Sequence, residues 1–397
     1  MTQPEISVIM PSYNKYPQNL FTLLTLNNQT FDLSRVEVIL VDDGSTDDTR
    51  VIPHRHAFRF RLRYIRTPTN IGRPRARNRG VQAAQGRLLV FLDAEMLVEP
   101  TYLQRHYELH QADASLVVCG AMLLKGAYTM WYPDFSEAQK AHVYQFLALS
   151  DAYRDLSLGL KPPPDHKVCL FDEAGIAAGC FKLFSFDKPI SDYYENVIFR
   201  VYGDHFNGFA LSWILFFTGN VSVRRELLLS VGLFEEYDGY GWDDSEMGYR
   251  LYKRGARFFH DRHNRVYHQE HPVSVGNLRE AHLNFWRFRE KYPGEIDVAA
   301  MALAYLPQPK YLNEINLVVC EYHRLQRERP GRYLRVAETL HGALRAVVLR
   351  LRDGEPVTRL YERFDWRPEP YYAERWELVQ NNMFLDLVGI LDHLLSL

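Results

Sequence analysis

The chain has 397 residues, of which 47% are hydrophobic and 24% are charged, and its formal net charge is −2. This length exceeds that of one ordinary domain and suits one large domain with an accessory piece. The balanced charge excludes a strong overall field that would gather nucleic acid, although the stretch 50–87 is locally rich in arginine. The four cysteines form no Cys-x-x-Cys pair, which argues against a zinc site or a disulfide framework and fits a reducing cytosol.

The chain carries no pattern of a membrane-spanning anchor. Met1–Glu5 lacks a basic segment followed by an apolar core, and no run of about 18 apolar residues occurs. We therefore expect no signal peptide, no membrane span and a cytoplasmic protein. Apolar residues do recur at helical spacing in Met383–Leu397. That segment predicts a helix packed on the body or on a partner, and peripheral contact with the inner membrane face is the alternative.

The N-terminal part alternates short β-branched runs with helical patterns, which predicts an α/β fold with a mainly parallel sheet. In such sheets ligands bind beyond the carboxyl ends of the strands, where the strand order reverses. The predicted strands are Ile6–Met10, Val36–Val41, Leu62–Ile65, Leu88–Leu92 and Leu116–Cys119. Helices or helical turns are predicted over Gln18–Asn27, Asp47–Val51, Arg75–Ala84 and Pro100–Gln111.

Beyond residue 120 this rhythm gives way to an aromatic-rich stretch, 121–217, that is interrupted by Pro162–Pro164. The composition predicts loops and short elements over the sheet, and we expect substrate specificity to depend on them. The chain is mainly helical from Phe285 onward. We expect one domain over 1–294 and a helical C-terminal domain over 295–397, whose role could be substrate binding, homodimerisation or bracing.

Two polar turns follow the first two predicted strands. Pro11–Asn14 ends the first strand, and Asp42–Ser45 ends the second. Adjacent strand ends of this kind imply a pocket. A carboxylate of Asp42 or Asp43 can accept the imide hydrogen of uracil or a ribose hydroxyl there. A capped turn without any ligand is the alternative interpretation.

A helix that begins in a glycine turn and is rich in arginine is predicted within Asn70–Gly80. Arg73 and Arg77 share one helix face, on which guanidinium groups can bind a pyrophosphate or a base edge. Arg75 and Arg79 lie on the other face and are expected to be solvated. A nucleic-acid patch is the competing interpretation, but base-stacking aromatic residues do not interleave with the neighbouring arginines. We therefore expect no nucleic-acid partner.

The strongest chemical pattern is Arg87–Glu95, a short apolar run that ends in acid. Such a run predicts a strand buried on both faces. Asp93 and Glu95 are two residues apart, so they point the same way if the chain stays extended and can then share a divalent cation. The cation would neutralise a departing diphosphate. Alternatively, one acid caps the helix at Pro100 or pairs with an arginine.

Two further motifs lie downstream. Gly239–Glu246 places Asp243 and Asp244 at the start of a predicted amphipathic helix, where capping explains one acid but not readily two. The pair suits a base that removes a hydroxyl proton beside a carboxylate that holds a neighbouring hydroxyl. Val266–His271 contains histidines three apart. A packed or solvated histidine is the simpler interpretation, and a metal ligand is the alternative.

In their order along the chain, these motifs resemble family 2 glycosyltransferases of the GT-A fold. The resemblance covers roughly residues 5 to 272, and each motif is weak singly, whereas the ordered set is a strong signal. Its first part consists of Pro11–Asn14, Val41–Ser45, Asn70-x-Gly72, Ala76-Arg77-Asn78-x-Gly80 and Phe91–Glu95. Three later motifs are more narrowly similar to galactosyl and N-acetylgalactosaminyl transferases, including chondroitin-polymerase-like domains: Thr218–Ser222, Gly241–Asp244 and Tyr267–Glu270.

The resemblance implies a UDP-sugar donor and Mn²⁺ or Mg²⁺ as cofactor, held by Asp93, Glu95 and His268. It also implies that Asp244 is the catalytic base and that attack opposite the diphosphate inverts the sugar, through a transition state with oxocarbenium character. The implied acceptor-binding residues are Asp243 and Trp242. The implied donor-binding residues are Pro11, Ser12, Tyr13, Asp42, Asp43, Gly72, Arg73, Arg77, Asp93, Ala94, Gly219 and Asn220.

The chain departs from the family pattern at two places. Glu95 stands where the family usually has aspartate, so the preferred metal is expected to differ. The Gln-x-x-Arg-Trp element of processive members is missing, because Tyr372 stands where glutamine would precede Arg375-Trp376. We therefore expect non-processive transfer of a hexose or N-acetylhexosamine to a hydroxyl of a glycan, a lipid-linked intermediate or a small molecule, with 121–217 as the acceptor region.

Two other classes compete with this hypothesis. Nucleotidyl transfer uses a similar sheet, but it requires a glycine-rich loop after the first strand, where Pro11–Asn14 stands. The non-enzymatic alternative is a sugar-nucleotide or glycan-binding module, or a partner subunit without turnover. The presence of Asp93, Asp244 and His268 argues against it.

Overall fold

The computed structural model describes residues 3–120, 124–148, 160, 163–272 and 276–397. Parts of the expected acceptor region, at 121–123, 149–159 and 161–162, lie outside the described residues. The chain packs as two compact units: the first comprises Met1–Phe206, Trp213–Glu236 and Met247–Ser274, and the second comprises Asn207–Ser212, Tyr237–Glu246 and Val275–Leu397. The domain boundary near residue 295 stays a prediction, because packing units and independently folding domains are different properties.

The first unit is built on a mixed, mainly parallel sheet, which confirms the predicted α/β fold. Of the described strands, seven form this sheet in the order β12-β6-β11-β4-β1-β2-β3, and only β11 runs antiparallel to its neighbours. The described strands are β1 Ile6–Ser12, β2 Val36–Asp42, β3 Arg61–Arg66, β4 Leu88–Phe91, β5 Met96–Val98, β6 Leu116–Cys119, β7 Leu124–Ala127, β8 Met130–Trp131, β9 Val168–Cys169, β10 Ser185–Asp187, β11 Val221–Arg224, β12 Arg257–His260 and β13 Val266–Gln269.

The centre of the sheet determines where a ligand can bind. Every residue of β1, β2 and β4 is buried, as expected for parallel strands covered by helices on both faces. The register sets Ser12 beside Asp42 and Ile9 beside Phe91. The carboxyl ends of these three strands therefore form one edge. Since β1 lies between β4 and β2, this edge is also where the strand order reverses.

The helices that the sequence predicts in the first unit are present, and their ends lie within two residues of the predicted ones. The predicted turn at Asp47–Val51 is a 3₁₀ helix over Asp48–Val51. Other single-turn elements are Leu33–Arg35, Cys180–Phe184, Tyr194–Phe199 and, where the chain crosses between units, Ser212–Leu215. The α-helices are Gln18–Asn27, Ile52–Arg55, Arg73–Ala83, Tyr102–Ala112, Glu137–Ala148, Glu173–Ala177, Pro189–Tyr193, Arg200–Tyr202 and Arg225–Val231. The helix Asp243–Lys253 begins in the second unit and continues in the first.

A second, four-stranded sheet in the order β10-β7-β13-β5 lies in the first unit, together with the β8-β9 ribbon. Its core is aromatic, with Trp131, Phe181 and Phe184 almost fully buried. The sequence predicts short elements in this part of the chain, but it does not predict β13 as a strand. The pairing of β13 with β5 joins segments about 170 residues apart, which local patterns do not encode.

The second unit is mainly helical, as predicted for the C-terminal part of the chain. In the helix Leu385–Ser396, Leu387, Leu391 and Leu394 are fully buried. This segment is therefore a packed helix. Among the described residues, no helix is long and apolar enough to cross a membrane. The unit's other elements are Asn277–Lys291, Ile296–Ala299, Ala300–Tyr305, Leu312–Glu328, Leu334–Asp353, Leu360–Arg363 and Pro368–Gln380.

Candidate active site

Asp42, the last residue of β2, is fully buried and holds the turn that follows it. Its carboxylate accepts hydrogen bonds from the N–H of Ser45 at 2.8 Å, from the Arg66 guanidinium at 2.7 Å and from the Tyr64 hydroxyl. Burial and the hydrogen bond to Asp42 raise the pKa of Tyr64 to about 12, so the phenol remains a donor. Asp42 therefore positions this edge of the sheet, and its contact with a donor molecule stays a prediction.

Asp43 links the β2 turn to the start of the arginine helix. Its two carboxylate oxygens accept hydrogen bonds from the N–H groups of Ile71 at 2.9 Å and Gly72 at 3.0 Å, and Thr67 donates a third from its hydroxyl at 3.0 Å. A carboxylate offers about four lone-pair positions, so Asp43 keeps capacity for one further donor. Gly72 has a φ of 92°, which favours glycine at this turn.

The turn after β1 leaves one aromatic side chain open to solvent. Pro11 and Ser12 end the strand and are buried. Asn14 has a left-handed φ of 52°, and its N–H donates to the Ser45 hydroxyl at 3.0 Å, which ties the β1 and β2 turns together. Tyr13 is 45% exposed and so is accessible to a ligand at this edge.

Arg77 lies on the helix Arg73–Ala83, and its side chain is buried, with the whole residue only 3% exposed. Its guanidinium is 3.7 Å from Asp93 Oδ1 and lies over the Phe234 ring, 5.8 Å from the centroid. Arg73 is exposed at the start of the helix, and its positive charge also acts on Asp93. The positive charges of both arginines therefore act on the Asp93 carboxylate.

Arg75 is not solvated in the way the helix pattern predicts. Its guanidinium pairs with Glu236 at 3.1 Å, and its side chain is 36% exposed. The segment that carries Glu236 is held beside the helix because Asn78 exchanges two hydrogen bonds with the backbone of Phe234, both 2.9 Å long. Arg79 is exposed, as expected.

The segment 93–95 forms a turn, so the condition under which Asp93 and Glu95 would point the same way, an extended chain, is not met. β4 ends at Phe91, and the N–H of Met96 donates to the carbonyl of Asp93 at 3.1 Å. The reversal gives the carboxylates different partners: Arg77 is 3.7 Å from Asp93, and Lys15 is 3.1 Å from Glu95. Ala94, between the two acids, is buried.

The second sheet brings two histidines to Glu95. Strand β13 runs antiparallel to β5 with His268 opposite Met96, and the N–H of Gln269 donates to the Glu95 carbonyl at 2.9 Å. As a result, potential ligand atoms of Glu95, His268 and His271 all lie within 4.8 Å of one another, and Asp93 is not part of this described group. The sequence points to both histidines of this short motif, whereas the resemblance implies only His268 as a ligand.

The group has the chemistry and the orientation of a metal site. His268 Nδ1 is 2.9 Å from a Glu270 carboxylate oxygen, and His271 Nδ1 is 2.8 Å from the Pro272 carbonyl oxygen. Acceptors in these positions fix the ring tautomer and leave Nε2 as the ligand atom. One carboxylate and two imidazoles form a donor set that suits divalent transition metals. The residues present therefore fit the implied cation.

The two acids of the turn have opposite electrostatic surroundings. Burial raises the pKa of Asp93, and the Glu95 carboxylate adds to this, whereas the Arg77 guanidinium opposes it. Burial also disfavours ionisation of Glu95, but the Lys15 ammonium 3.1 Å away holds its pKa well below the usual range. Glu95 is therefore ionised at neutral pH, which is the form that binds cations.

Gly219 and Asn220, the predicted donor-sugar residues, lie next to Asp93. A Cβ atom added at Gly219 would be 3.3 Å from Asp93 Oδ2 and 3.1 Å from Met96 Cε, so a side chain here would crowd the turn. They directly precede β11, which pairs with β4. Asn220 is fully buried and donates to the Asn264 carbonyl at 3.0 Å.

A buried histidine network holds Asn220 and was not predicted. Asn220 Oδ1 is 3.2 Å from His106 Nε2, and the Ser222 hydroxyl lies 2.7 Å from His106 Nδ1 and 2.8 Å from His110 Nε2. Burial lowers the pKa of His106 to about 4 and that of His110 to about 3. The sequence signal was a pair of histidines four apart on one helix face.

This network predicts acid sensitivity of the fold. Unfolded histidine takes up protons below its ordinary pKa of 6.5, whereas His106 in the folded chain does so only near 4. The unfolded state therefore binds more protons as the pH falls below 6.5. The free energy of unfolding should drop by about 2 kcal/mol for each of His106 and His110 between pH 7 and pH 5. Urea denaturation across this range measures the drop.

His110→Gln removes one titrating group and should flatten the pH dependence of the unfolding midpoint. His166→Gln is the matched control, because its side chain is 72% exposed and should leave the slope unchanged. Parallel pH profiles for His110→Gln and the parent chain would contradict the neutral buried network.

The predicted acceptor and base residues lie in the second unit, at the start of the helix Asp243–Lys253. Asp243 is 7% exposed, and Asp244 is partly buried and accepts the N–H of Ser245 at 2.8 Å. Trp242 stacks on Phe285 with a centroid distance of 4.5 Å. Both acids lie in the first turn of this helix, next to the positive end of its dipole.

A third acid in this turn is already neutralised by the protein. Glu246 is fully buried, and its carboxylate accepts hydrogen bonds from Lys291 at 2.7 Å and from the Tyr292 hydroxyl at 2.8 Å. The role of Glu246 is therefore structural.

Comparison with known proteins gives consistent matches. The family model "Glycosyl transferase family 2" matches residues 7–188. The uncharacterized glycosyltransferase YfnE of Bacillus subtilis is 32% identical over 289 residues, which are 72% of this chain and 70% of that protein. Validoxylamine A glucosyltransferase of Streptomyces hygroscopicus subsp. jinggangensis is 30% identical over 73% of this chain and 61% of its own length. Chondroitin synthase of Escherichia coli is 26% identical over 72% of this chain and 40% of its own length.

Proposed function

The chain belongs to glycosyl transferase family 2, and we propose that it moves a hexose or N-acetylhexosamine from a UDP-sugar to a hydroxyl group, with inversion and one sugar at a time. The acceptor is a glycan, a lipid-linked intermediate or a small molecule. The observation that carries the proposal is the meeting of Glu95 and His268 at the sheet edge where β1, β2 and β4 end. Relatives named as a glucosyltransferase and as a chondroitin synthase support sugar transfer.

The donor is proposed to bind along this edge of the first unit. Asp43 has capacity for one more hydrogen-bond donor and would hold the nucleoside, with the exposed Tyr13 beside it. Arg73 and Arg77 carry positive charge toward the donor's phosphates, and Gly219 leaves room beside Asp93 for the sugar. Asp93, Ala94 and Asn220 complete the predicted donor set.

Glu95 and His268 are proposed to ligate the metal. Ligation by Asp93, which the resemblance implies, stays a prediction. A divalent cation bound there, Mn²⁺ or Mg²⁺, would neutralise the negative charge that develops on the leaving diphosphate. Arg77, which is buried beside Asp93, would add fixed positive charge from the protein. Fixed charges of this kind stabilise a transition state without reorganising during the reaction.

We assign Asp244 as the base that takes the proton from the attacking hydroxyl, with Asp243 holding a neighbouring hydroxyl and Trp242 beside the acceptor. Non-processive transfer is proposed because the Gln-x-x-Arg-Trp element of processive members is incomplete before Arg375. Tyr372 precedes it where processive members carry glutamine.

The proposal predicts metal-dependent release of UDP. A panel of UDP-sugars with Mn²⁺ and a set of hydroxyl acceptors should yield UDP with at least one donor, and excess EDTA should stop the release, because the leaving diphosphate would lose its counter-charge. Coupled detection of UDP, with and without EDTA, measures this. Asp93→Ala should also lose release.

Two results would contradict the proposal. Donor binding in calorimetry without turnover on any acceptor would indicate a binding module instead. Release of pyrophosphate in place of UDP would indicate nucleotidyl transfer.

A further inference from the structure

The Glu95 carboxylate, two imidazole rings and the Lys15 ammonium lie close together. Lys15 Nζ lies 3.1 Å from Glu95 Oε1 and 3.0 Å from His271 Nε2, and His271 Nε2 lies 3.6 Å from the same Glu95 oxygen. The rings of His268 and His271 have centroids 5.2 Å apart. The ammonium of Lys15 therefore contacts two of the three groups that could hold a metal.

Chemistry fixes the tautomer of His271. A backbone carbonyl can only accept, so the contact between His271 Nδ1 and the Pro272 oxygen at 2.8 Å places the ring proton on Nδ1. An ammonium can only donate, so the contact with Lys15 requires the Nε2 lone pair. The Nε2 lone pair of His271 thus accepts from Lys15, and this neutral tautomer is the one that can ligate a metal through Nε2 once the ammonium moves away.

His268 is oriented in the same way. Its Nδ1 faces Glu270 at 2.9 Å, and Glu270 is held in turn by Lys188 at 2.7 Å. A carboxylate behind a ligating imidazole is the arrangement that orients histidine in many metal sites. Each ring therefore has its Nδ1 engaged, and one ligand atom from each of the two histidines lies within 4.8 Å of Glu95 and of the other.

We propose that Glu95, His268 and His271 together bind a divalent transition metal, and that Lys15 is a built-in cation that engages Glu95 and His271 until the metal displaces it. This inference rests on the proposed function, which gives the metal its use in sugar transfer. It goes further in assigning a ligand role to His271 and a competing role to Lys15, neither of which the resemblance implies. Asp93, which pairs with Arg77, is left to the donor.

The donor set also determines which metals bind. Imidazole nitrogens prefer Co²⁺, Ni²⁺ and Zn²⁺, whereas Mg²⁺ prefers oxygen ligands and near-ideal octahedral geometry. With two imidazoles and one carboxylate, the site should bind Co²⁺ more tightly than Mn²⁺ and Mg²⁺ most weakly.

The first test is calorimetric titration of the full chain with Mn²⁺ and, separately, Co²⁺, without nucleotide. His271→Gln should weaken binding of both metals by at least ~10-fold, since a ligand contributes no less than the partners that orient it. His166→Gln is the matched control, with a side chain that is 72% exposed. Unchanged Co²⁺ and Mn²⁺ affinity in His271→Gln would overturn the ligand assignment.

The second test uses a variant that is expected to bind Mn²⁺ more tightly, so that misfolding cannot produce the expected result. Lys15→Met removes the competing charge at similar length and should tighten Mn²⁺ binding by about 10-fold, which a damaged protein would not do. Lys140→Met is the control, because this lysine pairs on the surface with Glu137. Unchanged or weaker Mn²⁺ binding in Lys15→Met would overturn the role of Lys15.

The metal titrations are independent of sugar transfer. If His271→Gln loses Co²⁺ while no UDP-sugar is turned over by the parent chain, the metal site stands and the proposed function fails. If the parent chain transfers sugar while His271→Gln binds Co²⁺ normally, the proposed function stands and this inference fails. The visible absorption of bound Co²⁺ gives a further readout, since its spectrum should change when an imidazole ligand is removed.

Discussion

Asp244→Asn should slow sugar transfer by about 100- to 10,000-fold and leave donor binding unchanged, because the amide keeps the shape of the side chain and cannot take a proton. Initial rates of UDP release and calorimetric binding of UDP measure the two effects separately. Asp365→Asn is the matched control in the same unit, with a carboxylate that is 75% exposed.

A rate for Asp244→Asn equal to that of the parent chain would remove Asp244 from the chemistry. A loss of UDP binding that parallels the loss of rate would instead point to a structural role. In that case Asp243 would be the next candidate for the base.

Arg77→Met should lower UDP affinity by about 10- to 100-fold, since a hydrogen bond to a charged group is worth about 1.5–3 kcal/mol. The guanidinium is almost fully buried 3.7 Å from Asp93, so its removal leaves that carboxylate without its closest counter-charge. Arg77→Lys should recover only part of the affinity, because an ammonium cannot bind a pyrophosphate in a bidentate manner.

Arg79→Met is the matched control for Arg77→Met, since Arg79 is exposed on the same helix. Calorimetric titration with UDP compares the three variants. Equal UDP affinity in Arg77→Met and Arg79→Met would show that Arg77 serves packing alone.

The central sheet could be predicted from sequence because its determinants are local. Runs such as Val36–Asp42 and Leu88–Phe91 are apolar on both faces and bounded by turn residues, and each is found as a strand. The helix Arg73–Ala83 begins at the predicted glycine, because Gly72 adopts a φ of 92° that other residues rarely adopt.

The course of the chain at 93–95 could not be predicted in the same way. Strand periodicity would direct Asp93 and Glu95 to one side, but β4 stops pairing at Phe91 and the chain turns to form β5. The turn depends on the partner of β5, which is β13, a strand distant in sequence. Tertiary pairing thus decides which acid faces the histidines.

The surroundings of His271 and Arg75 could not be predicted for a related reason. His271 lies beyond the end of β13, where side-chain direction no longer follows the strand alternation, so spacing could not place it beside Glu95. Arg75 lies on the outer helix face, but Glu236 is brought to it by the hydrogen bonds between Asn78 and Phe234. Both contacts join segments far apart in sequence.

The most direct measurement of the central claim is calorimetric binding of UDP to the full chain with Mn²⁺, with EDTA, and to Glu95→Gln with Mn²⁺. If a UDP-sugar and a metal share the edge where β1, β2 and β4 end, UDP should bind with Mn²⁺ and bind much more weakly in the other two conditions. Equal UDP affinity in all three, or no UDP binding in any, would contradict a metal-dependent UDP-sugar transferase.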